Sequence, residues 1–178
     1  ELSLINFDKM KNIEEKDFIN KLTPVYNLLK IVSNNQIIKN KKDLIGFVGA
    51  PWTLLVYMIN RKSPKQNLND NFFNDKVLIK NLLSIIEKFL KLHIKNQIES
   101  GATIIQIFDS WAGLVEEKYL PEYIYNPTLN LVNYIKSLNT PVICFPREIR
   151  NYKEFCNIVN PDVISIDYNV NPEQILKN

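Results

Sequence analysis

The chain has 178 residues, of which 46% are apolar, 23% charged and 11% aromatic, the profile of one globular domain long enough to bury a core. A formal net charge of +3 excludes a polybasic nucleic-acid tail and leaves room for an anionic small molecule. The four glycines, Gly46, Gly49, Gly101 and Gly113, compose neither a G-x-G-x-x-G fingerprint nor a P-loop. One histidine, His93, and two cysteines, Cys144 and Cys156, supply too few ligands for a His/Cys zinc site and no disulfide framework. Lysine outnumbers arginine 19 to 3, a bias of AT-rich genomes that weakens any argument from lysine abundance. There is no initiator Met, no signal peptide and no run of 18 apolar residues, so the reading is a soluble cytoplasmic chain. A start at Glu1 points to a processed product or a piece of something longer.

In chain order, Phe18, Leu22, Val25, Leu28, Leu29 and Val32 recur at helical steps, and Pro24 within that pattern predicts a helix starting near Thr23 as N-cap. Residues 39–43 form a solvated connection. The apolar run 44–48, closed by Gly49-Ala50-Pro51, predicts a buried strand, followed by a helix over 52–59. Residues 61–75 are polar and predict a surface loop. A long helix is expected over 76–100, with Leu78, Leu82, Ile85, Ile86, Phe89, Leu90 and Ile94 as its apolar stripe and Ser100-Gly101 as its C-terminal signal. Strands at 103–108, 142–145 and 163–166 alternate with helices at 122–138, interrupted near Asn126-Pro127, at 152–159, and from Pro172.

Four strands alternate with helices, and all four are continuous apolar runs, as parallel strands covered on both faces are. A doubly wound open sheet and part of a β/α barrel both fit, and both place function at the carboxyl ends of the strands. Those ends carry Gly49 to Trp52 with Tyr57 further along the helix, then Asp109-Ser110-Trp111, then Pro146-Arg147-Glu148, then Asp167-Tyr168. Each has an ordinary reading too. Asp109-Ser110 suit a turn cap, Trp52 and Trp111 suit a core, Arg147-Glu148 suit a surface pair, and Tyr57 suits a core edge. His93 and Cys144 read as structural. No Ser-His-Asp set and no metal-ligand cluster can be assembled.

Two of these strand ends are more specific. Gly46-Phe47-Val48-Gly49-Ala50-Pro51-Trp52-Thr53-Leu54, followed by Tyr57-Met58-Ile59, resembles the GF-x-GAP-[WF]-TL-x-x-YM motif of the uroporphyrinogen decarboxylase family. Gln106-Ile107-Phe108-Asp109-Ser110-Trp111-Ala112-Gly113 resembles that family's Q-x-F-[DE]-S-x-AG motif. Phe145-Pro146-Arg147 and Ser165-Ile166-Asp167-Tyr168 are weaker echoes in register. The resemblance implies an α/β fold of the (β/α)8 TIM-barrel type, here about four β/α units in one domain over 1–178. It implies cofactor-independent removal of the carboxyl groups of uroporphyrinogen's four acetate arms, giving coproporphyrinogen in haem synthesis. It implies a tetrapyrrole substrate, no metal or organic cofactor, no nucleic-acid partner and no membrane, and it admits a homodimer of the full-length enzyme. Tyr57 matches the family's active-site tyrosine and Ser110 its substrate-contacting serine. Asp109 and Phe145 match residues lining the cleft, and Arg147 is a candidate for pairing with the substrate's carboxylates.

The resemblance also places the family's arginine-rich motif and pyrrole-binding aspartate before Glu1, and its Gly-His-Gly histidine after Asn178; His93 does not match it. The expectation is the central half of an enzyme, without independent activity. Two alternatives stand beside it: a corrinoid-linked methyltransferase of the same superfamily, and an inactive truncated half-barrel.

Overall fold

The computed structural model describes residues 7–37, 39, 41–60 and 75–176. The surface loop expected at 61–75 lies outside them except for Asp75, and so does part of the connection at 39–43. The elements run α1 (Phe7–Lys11), α2 (Glu15–Ser33), β1 (Ile45–Gly49), α3 (Pro51–Asn60), α4 (Lys76–Glu99), β2 (Ile104–Asp109), α5 (Asn126–Ser137), β3 (Val142–Pro146), α6 (Tyr152–Val159), β4 (Val163–Ile164) and α7 (Pro172–Leu176).

The strands form one sheet in the order β1-β2-β3-β4, parallel at every junction. Gly46 pairs with Ile105, Phe108 with Phe145, and Asp109 with Pro146. The four expected strands are therefore present and parallel, although β4 is shorter than the apolar run that predicts it. On one face, Val48, Ile105, Ile107, Val142 and Cys144 are buried in a core shared with α3, α4 and α5. Leu82, Ile86, Leu90 and Ile94 of α4 pack there at helical spacing. The opposite face carries Ile45, Phe47, Phe108, Ile143 and Phe145, and the described residues leave Ile45 and Phe47 exposed. Apolar residues on both faces give the continuous runs seen in the sequence, but among the described residues helices cover only one face. That layering is a barrel segment's and not a doubly wound sheet's, which carries helices on both sides.

The start of α2 also differs from expectation. α2 starts at Glu15, eight residues before Thr23, and carries Pro24 inside it. Proline removes one helical hydrogen bond. The α2–α4 contacts lie on both sides of it and hold the helix through: Glu15 pairs with Lys88 at 2.8 Å, Phe18 packs on Phe89 at 4.8 Å between ring centroids, and Tyr26 Oη bonds His93 Nδ1 at 3.0 Å. Thr23 acts within the helix, its hydroxyl donating to the Ile19 carbonyl. His93 is thus structural, and burial lowers its pKa. At the other end of α4, Ser100 is the C-cap and Gly101 takes φ +109°, the left-handed turn that ends the helix. The interruption expected near Asn126-Pro127 is a wide π turn over Pro121–Tyr125 that runs directly into α5.

Candidate active site

The site begins with a close approach. A Cβ at Gly46 would lie 2.8 Å from Gln97 Oε1 and 2.9 Å from Ile105 Cδ1, so only glycine lets α4 settle onto β1 here. Gln97, 2% exposed, uses that room: its Oε1 accepts from the Phe47 N–H at 3.0 Å and its Nε2 donates to the Phe47 carbonyl at 3.1 Å. β1 then ends as the Ala50 N–H donates to the Phe108 carbonyl, and Pro51 opens α3 without needing a donor.

α3 is amphipathic. Trp52, Leu55, Val56 and Ile59 face the core, while Tyr57 and Met58 turn outward, each 38% exposed. Trp52 stacks on Tyr123 (5.6 Å, 9°) and its indole N–H donates to the Trp111 carbonyl at 3.0 Å. Trp111 in turn meets the Tyr57 ring edge-on at 6.1 Å. The loop leaving β2 carries Ser110, half-buried, immediately before Trp111. The α3 segment with Tyr57 and the β2 exit with Ser110 are therefore bound to each other at the carboxyl end of the sheet.

Phe145 lies on the open face of β3, edge-on to Phe108 at 6.3 Å, and Phe108 is edge-on to Phe47 at 6.1 Å. This aromatic row crosses three strands below the Tyr57–Ser110 rim. Arg147 is engaged at the surface by Glu148, Nη2 to Oε1 at 2.9 Å. Its backbone ties β3 to β2: its N–H donates to the Asp109 carbonyl and its own carbonyl accepts from Gly113.

Asp109 differs from its expectation as a cleft-lining residue. It is 3% exposed and shares the parity of Ile105 and Ile107, so its side chain lies beneath the strand end, toward the helices. Its Oδ1 accepts from Thr53 Oγ1 at 2.7 Å. Burial pushes its pKa up to about 7, against the lowering effect of the bonds from Thr53 and Trp111.

Two groups carry weight that the sequence reading did not assign. Thr53 stands in the first motif but signalled no partner, and it joins Asp109 to the Trp111 N–H. Asp167 Oδ2 accepts from Tyr152 Oη and from the Glu148 N–H, both at 2.6 Å, holding the β3 exit against the chain after β4. Burial and the Asp167 carboxylate push the Tyr152 phenol's pKa up. Cys144 is buried beside this region with its thiol pKa raised by burial, an inert small hydrophobe.

The family model described as uroporphyrinogen decarboxylase (URO-D) matches residues 1–178. The chain belongs to the uroporphyrinogen decarboxylase family. A uroporphyrinogen decarboxylase of Orientia tsutsugamushi (strain Ikeda) is 37% identical over 164 residues, 88% of this chain and 47% of that protein. One from Campylobacter jejuni (strain RM1221) is 34% identical over 165 residues, 90% and 48%, and one from Rickettsia bellii (strain RML369-C) is 37% identical over 152 residues, 83% and 44%. The chain thus spans about half the length of the curated relatives it matches. Four parallel β/α units agree with part of the family's barrel. No helix among the described residues is long and apolar enough to cross a membrane.

Proposed function

We propose that this chain supplies, as one domain, the central part of a uroporphyrinogen decarboxylase, a cytoplasmic carboxy-lyase that works without a cofactor on a tetrapyrrole octa-acid. The observation that carries the reading is the union of the two motif segments at one end of the sheet, through Trp52–Trp111, Thr53–Trp111 and Tyr57–Trp111.

Loss of CO2 from an acetate arm leaves an electron pair that the adjacent pyrrole, once protonated, absorbs. The protein's task is to stabilise that cation and fix the arms. In this reading the Tyr57 phenol and the Ser110 hydroxyl donate hydrogen bonds to substrate carboxylates. Arg147 adds a charge-assisted pair when it exchanges Glu148 for substrate. The row Phe47, Phe108 and Phe145 gives the macrocycle an apolar floor. Pairing of the full-length enzyme as a homodimer belongs to the same reading.

The test is anaerobic incubation of the 178-residue chain with uroporphyrinogen, measuring binding and separating products by carboxyl number. Binding without turnover is expected, with Tyr57→Phe and Ser110→Ala each weakening binding roughly tenfold, as loss of one hydrogen bond to a charged group does. Coproporphyrinogen formation by this chain alone would place the chemistry on residues other than those proposed. Equal binding by wild type and both variants would remove Tyr57 and Ser110 from the site.

A further inference from the structure

Asp109 is a carboxyl group in an unusual position. Oδ1 has Thr53, whereas Oδ2 is buried with no hydrogen-bond partner among the described residues. Thr53 Oγ1 donates to Asp109 and accepts from the Trp111 N–H at 3.3 Å, and the Trp111 carbonyl accepts from the Trp52 indole. The result is a closed ring of contacts, Asp109–Thr53–Trp111 and back along the chain through Ser110, clamped by Trp52. Tyr57 follows on the same helix as Thr53, and Ser110 lies between Asp109 and Trp111. A change at the Asp109 carboxyl therefore reaches both segments that carry the proposed substrate contacts.

We propose that Asp109 is a positioning residue which, as the neutral acid, locks the Thr53–Trp111 junction and so sets Ser110 against Tyr57. The inference rests on the reading of those two residues given above. A carboxylate there would leave a charged oxygen dry and unpaired, whereas the acid leaves only a neutral group. No salt bridge to Asp109 forms among the described residues. Cys144 faces it from β3, and Arg147, beyond the strand end, meets it through the backbone while its guanidinium turns to Glu148. From α3 the facing group is the uncharged Thr53. The displacement of its pKa to about 7 agrees with this surrounding. Loss of the proton strengthens the Thr53 bond on Oδ1 but leaves charge on the dry Oδ2, and the water that must enter to solvate it opens the Thr53–Trp111 junction as pH rises through neutrality.

The chain provides its own reporters, because its two tryptophans are Trp111 in this ring and Trp52 that clamps it. The experiment follows tryptophan emission of the 178-residue chain from pH 5 to 9, for wild type, Asp109→Asn and His93→Gln. A transition centred near pH 7 is expected in wild type and in His93→Gln, and a flat response in Asp109→Asn. Uroporphyrinogen affinity is measured alongside. Relative to Asp109→Asn, wild type should lose roughly threefold to tenfold between pH 6 and pH 8, the value of about one hydrogen bond. A flat wild-type titration overturns the proposal without needing any variant, and so does a transition that survives in Asp109→Asn. The site reading fails separately: if Tyr57→Phe and Ser110→Ala bind like wild type while the Asp109-dependent transition is present, the contacts are elsewhere but the junction is as described.

Discussion

Replacing Gln97 with leucine tests how the edge of this sheet is finished. β1 is an edge strand. Its inward-facing groups are spent on β2, as the Ala50 N–H to Phe108 and the Thr103 N–H to Leu44 show, so the groups of Phe47 point outward. Gln97 satisfies both, imitating with one side-chain amide what a neighbouring strand would offer. Leucine keeps most of the volume and the contact with β1 but offers neither donor nor acceptor. Two net hydrogen bonds are lost at about 1 kcal/mol each, and any desolvation that persists at Phe47 raises the total toward about 4 kcal/mol. For a chain of this length that corresponds to a Tm lower by roughly 4–16 °C. Far-UV circular dichroism during thermal and urea unfolding measures it. Gly46 gives the control: a methyl there would sit 2.8 Å from Gln97 Oε1, so Gly46→Ala displaces the same amide. The two changes should be strongly non-additive in a double-mutant cycle. A Gln97→Leu variant within about 0.5 kcal/mol of wild type, or strict additivity with Gly46→Ala, would refute the capping argument.

Gly101→Ala should cost about 1–3 kcal/mol in urea unfolding, because φ is +109° and the new Cβ would run into the Ser33 side chain. Asp109 gives stability a pH slope of definite sign. Its folded pKa of about 7 exceeds an unfolded value near 3.9, so the native state binds more protons between these limits and stability falls as pH rises from about 4 to 7. The full span is at most about 4 kcal/mol, and denaturant midpoints of Asp109→Asn across that range should lack this component. The open sheet face, with Phe47 64% and Ile45 45% exposed, should make the purified 178-residue chain self-associate at micromolar concentration. Sedimentation velocity showing a stable monomer would contradict that.

The parts of the fold visible in the sequence were those written in local pattern. Short apolar runs bounded by Gly49-Ala50-Pro51, Asp109-Ser110 or Asn139-Thr140-Pro141 marked strands, and the stripe from Leu78 to Ile94 marked α4. The start of α2 was hidden because the rule for proline is local, whereas the contacts that override it, Phe18 on Phe89 and Tyr26 on His93, reach about 70 residues along the chain. The same distance concealed Thr53 and Gln97, whose partners stand 56 and 50 residues away. Asp109 was a different kind of miss. Its parity with Ile105 and Ile107 was available in the sequence and placed it on the helix-covered face, while Phe108 belonged to the other. Position at a strand end suggested the rim, and the alternation of the strand overruled it.

Parity also explains why the chain could be read as two architectures. Ile45, Phe47, Phe108, Ile143 and Phe145 are as apolar as the residues behind them, and an apolar face needs cover of some kind. A doubly wound sheet would supply it with a second layer of helices, and the connections would then pass to both sides. Here α3, α4 and α5 lie together on one side, and each is in contact with the next. Among the described residues the helices that connect the strands therefore run over the same face, which is the arrangement that lets a parallel sheet close on itself instead of being sandwiched. Four strands are half of an eight-stranded closure, and the matched relatives are about twice as long as the segment they share with this chain. The open face is thus the inward side of a barrel wall, and its aromatic row leads up to the rim where Tyr57 and Ser110 stand.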